Sequence, residues 1–483
     1  MRIKISVFLM ALSFTLLGCG SDYDMPDNVK LLIRKGEYTK AIEQLQTTAQ
    51  QATADNEREF FAWEAERLRR IQRDYDLTCD DLRANLNERI MDYQEKELEQ
   101  WQNEGRFDWR IIDGEPRYLS PSVSNLFFRY PDMRSRQKKT IQKPLIEILN
   151  EIIDLNDDNR NSTAFLPSIR FHIKMSLTVK PNVSPSGETI RCWLPFPQEN
   201  SFQTNVRVLS SSPAFQIIAP PNASHRSVYF EQKTMAEKPA SFTLEYEYTS
   251  IPRLETIDPK TVTDAIPDEV KPYIRETPPH VVFLPEFESL VEQIVGDETN
   301  PYHVARKIYL WISHNFKYSY AREYSTIRNI SRYTYRKRYG DCGQLALLYI
   351  TLCRMKGIPA RWESGWMLYP GAKNLHDWCV IYLDSYGWTP VDPNMGVAAV
   401  SAEDSFDKNR CHHVMHFFFG HMDPYRLVVN SNHGETFVPS KKQIRSDTVD
   451  FQRGEVETWE RNIYYNNFSY NLEILDHEVI KTP

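Results

Sequence analysis

Cys342, His376 and Asp392 have the residue types and the spacing that thiol chemistry requires. A thiol nucleophile needs an imidazole that takes and returns its proton, and the imidazole needs an acceptor that fixes its tautomer. His376 follows Cys342 by 34 residues and Asp392 follows His376 by 16, so each can come from a different secondary-structure element. The set predicts a nucleophile, a general base and an orienting carboxylate.

The element that must position Cys342 is a helix. The run from Cys342 to Met355 is apolar on almost every side, and it stops at Gly357 with Pro359 just beyond, which is a typical helix end. Such a helix belongs in a protein core. Because Cys342 would occupy the first turn, next to the positive end of the helix dipole, we expect a stabilised thiolate and a lowered thiol pKa.

The glycines around Cys342 predict room for a substrate. Gly340 and Gly343 would let a substrate backbone approach, and they would leave the N–H of Cys342 free as an oxyanion donor. The sequence leaves the second oxyanion donor open, with three candidates: Tyr318, Tyr320 and Gln344.

His376 and Asp392 are predicted to lie on strands. Three strand-like runs follow the helix, at residues 360–368, 376–383 and 388–392. A simple hairpin with a four-residue turn at residues 384–387 would make Asp392 point away from His376. A shift of one residue reverses the face of every side chain in a strand, so we predict a bulge or an asymmetric turn at Gly387.

Together these motifs resemble the transglutaminase-like superfamily, a branch of the papain-fold thiol enzymes. The resemblance covers about residues 290–400 and rests on three spaced segments: Gly340-Asp341-Cys342-Gly343, Leu375-His376-Asp377-Trp378 and Gly387-Trp388-Thr389-Pro390-Val391-Asp392-Pro393. It implies that Cys342 is the nucleophile, that His376 is the base and that Asp392 orients the base. It also implies a packing role for Trp388.

The N-terminus predicts a lipid-anchored envelope protein. A short basic start precedes an apolar run at residues 5–17, which is too short to span a bilayer and suits the core of a signal peptide. The run ends in Leu16-Leu17-Gly18-Cys19, which resembles the lipobox of bacterial lipoproteins and implies acylation of Cys19. We therefore expect residues 1–18 to be a signal peptide. The mature chain is expected in the cell envelope, attached to the outer membrane through Cys19.

The hydrophobic pattern divides the mature chain into three regions and predicts an α+β fold. Residues 19–165 have charged, helical periodicity; one helix pair resembles a single tetratricopeptide hairpin, but a helical spacer is the favoured interpretation. Residues 166–254 alternate with period two, which predicts an antiparallel β-sandwich. Residues 255–483 are expected to form the papain-like transglutaminase core, including the C-terminal strands.

Composition excludes some classes of partner. The net charge is −7, and it becomes −9 when Arg2 and Lys4 leave with the signal peptide, so no basic face for nucleic acid is expected. The seven cysteines have irregular spacing, and we predict no disulfide framework.

A metal site was considered at the His-rich segment near residue 412. His412 and His416 stand four residues apart and could share a helix face, but no acidic residue has the spacing of a zinc-binding helix. The run at residues 417–419 is Phe-Phe-Phe and indicates a packed strand instead. We expect neither a metal ion nor another cofactor.

The sequence thus predicts a thiol enzyme that acts on peptide or carboxamide bonds through a thioester on Cys342. Free water outside the cell favours hydrolysis, by a cysteine peptidase or amidase, over transamidation, and the expected substrate is a polypeptide or a peptidoglycan peptide. The alternative is a non-catalytic lipoprotein with a degenerate fold that binds peptide or glycan. The enzyme requires the side chains of Cys342 and His376 to lie within hydrogen-bond reach, at about 3–4 Å before substrate binds. A blocked Cys342, or a His376 turned away from it, favours the binding protein.

Overall fold

The computed structural model describes residues 23–138, 143–157 and 166–480. The expected signal peptide and Cys19 lie outside the described residues. Within the described ranges, no helix is both long enough and apolar enough to cross a bilayer. The fold is α+β, as the sequence predicted, with helices and three larger antiparallel sheets.

The N-terminal region is mainly helical and contains one β-hairpin. Its elements are α1 (Asp27–Arg34), α2 (Tyr38–Gln51), α3 (Asp55–Asp74), α4 (Cys79–Arg89), α5 (Lys96–Asn103), β1 (Trp109–Ile112), β2 (Glu115–Tyr118), α6 (Ser122–Arg129), α7 (Pro131–Arg134) and α8 (Leu145–Asp157). Helices α2 and α3 pack on each other because Leu45 and Leu68 lie on their apolar stripes and are fully buried. The β-hairpin was not predicted.

The alternating segment forms six strands of a β-sandwich, as predicted: β3 (Ser168–Val179), β4 (Thr189–Pro195), β5 (Gln203–Ser212), β6 (Ile217–Ile218), β7 (Ser227–Lys233) and β8 (Ala240–Ser250). Along β3 the side chains of Ile169, Phe171 and Ile173 are buried, while the residues between them are more exposed to solvent. This period-two pattern gives the sheet one face toward the core and one toward solvent.

The thiol domain follows, with elements α9 (Pro285–Val295), α10 (Pro301–Asn315), β9 (Lys317–Tyr318), α11 (Ile330–Lys337), β10 (Tyr339–Gly340), α12 (Cys342–Met355), β11 (Ala360–Met367), β12 (Asn374–Leu383), β13 (Gly387–Val391), α13 (Pro393–Ala402), α14 (Lys408–Phe417) and β14 (Arg426–Asn430). The strand order of its antiparallel sheet is β13-β12-β11-β14. Helix α12 has the predicted bounds, and its residues from Gly343 to Arg354 are buried against this sheet and the surrounding helices.

The C-terminal strands correct the predicted domain boundary. They are β15 (Glu455–Glu457), β16 (Asn462–Ile463) and β17 (Phe468–Ile480). The prediction placed them with the thiol domain, but β15 pairs with β4 and β17 pairs along the whole of β3. The sandwich sheets are therefore β16-β15-β4-β7-β6 and β17-β3-β8-β5. A period-two pattern fixes the face that a strand buries, but not its partner.

Residues 417–419 were also predicted wrongly. They do not form a strand, because Phe417 ends α14 and Phe418 is its C-terminal cap. Since aromatic residues pack equally well from a helix end and from a strand, a short apolar run cannot distinguish a helix from a strand.

The described residues also include 3-10 helices at Pro259–Thr261, Asp268–Ile274, Tyr324–Thr326 and Tyr465–Asn467.

Candidate active site

Cys342 is the first residue of α12, as predicted. Asp341 caps the helix by accepting a hydrogen bond from the N–H of Gln344 at 3.0 Å, and the Gln344 side chain accepts one from the N–H of Asp341 at 3.3 Å. This reciprocal capping box fixes the start of the helix. The N–H of Cys342, in the first turn, has no acceptor in the helical ladder and remains available to an oxyanion.

Gly343 does not have the predicted role. A Cβ at this position would lie 2.3 Å from the Tyr324 hydroxyl, 2.6 Å from the Trp362 ring and 2.7 Å from a carboxyl oxygen of Asp377. The space beside Gly343 is therefore filled by the protein and is not open to a substrate backbone. The glycine is needed because α12 packs closely against strands β11 and β12.

His376 and Asp392 are brought together. The Nε2 of His376 lies 2.7 Å from Oδ2 of Asp392, and both side chains are almost completely buried. Asp392 also caps α13 by accepting a hydrogen bond from the N–H of Met395 at 3.2 Å. The Asp392 carboxylate therefore fixes the ring of His376 and leaves the Nδ1 atom as its second functional nitrogen.

His376 and the cation of Arg426 both contact the Asp392 carboxylate. Nη1 of Arg426 lies 3.1 Å from Oδ2 of Asp392, the oxygen that also contacts His376. Burial opposes ionisation of Asp392, but its interactions with His376 and Arg426 outweigh burial and hold the pKa of Asp392 below its ordinary value. Asp392 is therefore a carboxylate throughout the neutral range.

The turn between β12 and β13 produces the register that this pair requires. Leu383 pairs with Gly387, so the turn has three residues and not four, with Ser385 and Gly387 at φ values of 72° and 75°. Cys379 then pairs with Val391, and Asp392 falls on the face of His376. The predicted asymmetry is present and comes from the odd length of the turn, without a bulge.

The hydrogen-bond partner of Cys342 is Asp377 and not His376. Sγ of Cys342 lies 3.2 Å from Oδ2 of Asp377, the residue after His376. Successive residues of β12 face opposite sides, and Asp377 faces α12 while His376 faces Asp392 and Arg426. Among the described residues, no hydrogen bond joins the thiol to the imidazole, and Nδ1 of His376 has no hydrogen-bond partner.

The surroundings of the thiol are acidic and buried. Asp377 accepts a hydrogen bond from Nε2 of Gln452 at 2.7 Å, and the Tyr324 hydroxyl donates to Asp341 at 2.6 Å. Burial raises the pKa of Cys342 well above its usual value, and the nearby carboxyls of Asp377 and Asp341 raise it further. The predicted lowering of the thiol pKa is therefore wrong for this arrangement, in which Cys342 is a protonated thiol.

The carboxyls themselves favour the neutral form. Burial raises the pKa of Asp341 to about 6, and it raises that of Asp377 well above the ordinary range, helped by the charges of Asp450 and Asp341. The sequence analysis missed Asp377. The signal for it was available, since Asp377 stands an even number of residues before Cys379, a predicted core residue, and so shares its face.

Helix α6 of the N-terminal region lies over the segment that leads into Cys342. Asn125 exchanges hydrogen bonds with the backbone of Tyr320, and Arg129 donates to the hydroxyl of Ser319. The ring of Phe128 packs edge-on against Tyr318 and Tyr320, at 4.8 and 5.4 Å between ring centroids. The helical region is thus part of the surroundings of the site and is more than the spacer that was predicted.

Of the three candidates for a second oxyanion donor, Gln344 has an uncommitted group. Its Nε2 atom is buried without a hydrogen-bond partner in the described part of the chain. The backbone N–H of Tyr320 is engaged by Asn125, and the hydroxyl of Tyr318 has a raised pKa because it is buried near Cys342.

The histidines of the His-rich segment lie on α14. The His412 and His416 rings are 6.4 Å apart, and His412 contacts Glu403 at 3.3 Å. Within residues 23–138, 143–157 and 166–480, no three potential metal ligands gather at one point. All six cysteines in these ranges are free thiols.

Comparison with known proteins identifies the domain that carries the site. Residues 288–393, which include Cys342, His376 and Asp392, match the model of the transglutaminase-like superfamily. None of the curated proteins matches the chain.

Several solved structures resemble it. A putative cysteine protease from Cytophaga hutchinsonii is 15% identical, with a TM-score of 0.40, over 65% of this chain and 93% of that one. The periplasmic domain of TgpA from Pseudomonas aeruginosa is 15% identical, with a TM-score of 0.27, over 52% of this chain and 99% of the other. A putative protease from Parabacteroides distasonis is 12% identical, with a TM-score of 0.19, over 47% of this chain and 67% of that one.

Proposed function

We propose that this chain, whose residues 288–393 belong to the transglutaminase-like superfamily, is a cell-envelope thiol enzyme that cleaves peptide or carboxamide bonds. Cys342 is its nucleophile, His376 its general base and Asp392 the residue that orients the base. The mature protein is held at the membrane by acylation of Cys19. The substrate is a polypeptide or the peptide part of peptidoglycan.

The observation that carries this proposal is the buried pair of His376 and Asp392. A carboxylate bonded to Nε2 fixes the neutral tautomer whose Nδ1 can accept a proton, which is the arrangement that a base for a thiol requires. Arg426 supports the charge of Asp392 through the same carboxylate oxygen that contacts His376. A purely structural histidine does not need a carboxylate that is itself held ionised by a buried arginine.

The reaction then proceeds in two stages. Rotation of Cys342 away from Asp377 lets Nδ1 of His376 take the thiol proton, and the thiolate attacks the carbonyl carbon of the substrate. The oxyanion is bound by the N–H of Cys342, and His376 returns the proton to the leaving amine, which gives a thioester. Water, deprotonated by His376, attacks the thioester and releases the acid and the free thiol.

An amine could replace water in the second stage, which would give transamidation. Hydrolysis is favoured because water surrounds an envelope protein at a far higher concentration than any amine. The lipid anchor supports the same choice, since the substrates within reach of a tethered enzyme are envelope proteins and peptidoglycan peptides.

A non-catalytic binding function is the second candidate. It is favoured by one specific observation, the hydrogen bond that joins the Cys342 thiol to Asp377 in place of His376. A protonated thiol is not a nucleophile. In this alternative the chain binds a peptide or a glycan without cleaving it.

Product analysis distinguishes these candidates. Residues 20–483 are incubated with casein and with peptidoglycan stem peptides, with and without a primary amine, and the products are identified by mass. We expect hydrolysis by the wild type, none by Cys342→Ala, and at least a hundredfold decrease, on the order of the contribution of general-base catalysis, for His376→Ala.

The matched control is Cys79→Ser, which changes the half-buried cysteine of the N-terminal region and leaves Cys342 in place. Its product yield is expected to equal that of the wild type. Equal product from Cys342→Ala and the wild type would contradict the enzyme, and binding without product would favour the second candidate. Amine adducts in place of free acids would show that the second stage is transamidation and not hydrolysis.

The anchor has its own test. Cys19→Ala in the full chain is expected to abolish lipid attachment, and membrane flotation measures the loss. A chain that floats with membranes equally well after this substitution would contradict anchoring through Cys19.

A further inference from the structure

The side chain in contact with the Cys342 sulphur is a carboxyl group. Oδ2 of Asp377 accepts a hydrogen bond from the thiol at 3.2 Å, and Asp377 is only 4% exposed. Its position immediately after His376 places the two side chains on opposite faces of the same strand. The nucleophile therefore has a defined partner in the resting protein, and this partner is not the base.

Asp377 is fixed from several sides. Nε2 of Gln452 donates to Oδ1 of Asp377 at 2.7 Å and to the backbone carbonyl of His376 at 2.9 Å, so one side chain fixes both residues. The Tyr324 hydroxyl lies 3.4 Å from Oδ2 of Asp377. These contacts hold the carboxyl at the start of α12, where the close approach of Gly343 leaves it no space to move.

No cation balances this carboxyl within the described part of the chain. The charged groups that face it are the carboxyls of Asp341, from the cap of α12, and of Asp450, from the segment before β15. Its other titratable neighbours include the Cys342 thiol and the hydroxyls of Tyr324 and Tyr318. A buried carboxyl beside two others is stable only when it carries a proton, which Asp377 shares in a hydrogen bond with Asp450.

We propose that Asp377 is a positioning residue that holds the Cys342 side chain as a protonated, unreactive thiol until the sulphur is released toward His376. The proposal rests on the function given above, because it describes how the nucleophile of that enzyme is kept at rest. Asp377, which has no other assigned role in the motif Leu375-His376-Asp377-Trp378, would thereby control the state of the nucleophile.

The first step of release is a rotation of the Cys342 side chain. A change between staggered χ1 positions moves the sulphur of a cysteine by about 3 Å, which takes it out of hydrogen-bond reach of Asp377 while the backbone stays in place. The thiol proton then passes to Nδ1 of His376, and Asp377 keeps its own proton. No other group gains or loses charge in this step.

The test is the pH profile of Cys342 alkylation in the full mature chain. Iodoacetamide labelling of each cysteine is followed by mass spectrometry for the wild type, Asp377→Asn, Asp377→Ala, His376→Ala and the double variant Asp377→Asn/His376→Ala. The amide of Asp377→Asn keeps the shape of the site but turns a hydrogen-bond donor toward the sulphur, which favours the thiolate. We expect Cys342 labelling at pH 7 to increase by about tenfold in Asp377→Asn, and its pH profile to shift to lower pH.

Internal controls are present in the same molecule. Cys79 is half-buried and distant in sequence, so its labelling rate is expected to be unchanged, and the buried Cys353 and Cys379 stay unlabelled if the variant is folded. Asp377→Ala also removes the acceptor and is expected to increase labelling, which provides a second variant if Asp377→Asn folds poorly.

The outcomes separate this inference from the proposed function. Labelling of Cys342 that is unchanged or slower in both Asp377 variants, with the controls intact, would overturn the role of Asp377. Faster labelling that persists in the double variant at the same rate would support Asp377 and argue against His376 as the base. Faster labelling that is lost with His376 supports both.

Discussion

Two buried carboxyls, one within β12 and one just after β13, have surroundings that give them opposite character. Asp392 is bonded to His376 and Arg426, so its pKa is lowered and it remains ionised. Asp377 faces the other side of the sheet, where the nearby charged groups are the carboxyls of Asp450 and Asp341, and has a raised pKa. Burial is similar at both sites, so the presence or absence of a cation decides which carboxyl is charged.

The comparison also separates the two parts of the proposed reaction. His376, the proposed base, is in hydrogen-bond contact with Asp392. Cys342, the proposed nucleophile, donates its thiol hydrogen bond to Asp377. An inactive relative and a resting enzyme would therefore differ in whether the Cys342 side chain can leave Asp377.

The largest effect is expected from removing the charge of the first carboxyl. Asp392→Asn leaves His376 without its acceptor and Arg426 with one carboxylate fewer in a fully buried position. We expect the unfolding free energy at pH 7 to fall by about 3 kcal/mol, measured by denaturant unfolding. Asp384→Asn, in the solvent-facing turn of the same hairpin, is the control and is expected to lose less than about 0.5 kcal/mol. Equal losses in the two variants would contradict the charge-balanced pair.

The next effect comes from separating α12 from the sheet. Gly343→Ala places a Cβ within 2.7 Å of Tyr324, Trp362 and Asp377, two of which belong to the sheet. We expect a loss of about 2 kcal/mol in unfolding free energy, because a packed interface must open to admit the methyl group. The same variant lengthens the contact between Cys342 and Asp377, so Cys342 labelling is expected to rise. A variant as stable as the wild type would show that the interface is loose.

The unfolding free energy should depend on pH in opposite directions through Asp341 and Asp392. Asp341 has a folded pKa of about 6, above its unfolded value of about 3.9, so its contribution is fully present below the unfolded value and is lost as the pH rises through about 6. Asp392 has a lowered pKa, so its contribution is present above the unfolded value and is lost as the pH falls.

Asp341→Asn isolates the first of these two terms, because asparagine is an equally good helix cap. We expect the unfolding free energy of the variant to rise relative to that of the wild type by about 2 kcal/mol between pH 4.5 and pH 7.5, measured by urea unfolding at both values. Parallel curves for the two proteins between these values would contradict the raised pKa of Asp341.

The smallest effect is expected at the second carboxyl. Asp377→Asn replaces a neutral acid by a neutral amide of the same shape, so the unfolding free energy at pH 7 should change by less than about 1 kcal/mol. The same denaturant experiment as for Asp392→Asn measures it. A loss as large as that of Asp392→Asn would show that Asp377 is ionised and balanced by a charge, and the comparison would fail.

The sequence predicted the elements that hold the site better than the contacts within it. Helix α12 begins at Cys342 and ends at Met355 as predicted. An uninterrupted apolar run followed by Gly357 indicates a buried helix and the place where it ends. The odd turn before Gly387 followed from requiring Asp392 and His376 on one face. Long-range partners were not predictable, since neither the docking of α6 near Tyr320 nor the pairing of β17 with β3 has a periodic signal.

Within the site, the prediction failed where several charges interact. The helix dipole at Cys342 was expected to lower the thiol pKa, and it is opposed by burial and by two carboxyls that come from different parts of the chain. The identity of a neighbour such as Asp450, 108 residues beyond Cys342, is a property of the folded chain alone. The assignment of Cys342, His376 and Asp392 to catalysis stays a prediction until the thiol is tested.

The pairing of β17 with β3 has a consequence for how the protein is made. Strand β3 leaves the ribosome well before β17, one of its two neighbours in the sheet. Until β17 has been synthesised, the long alternating strand β3 has one unpaired edge, the form that pairs with foreign strands. A chain that stops before Phe468 would keep every residue of its thiol domain and would still expose that edge, so completion of the sandwich has to wait for β17.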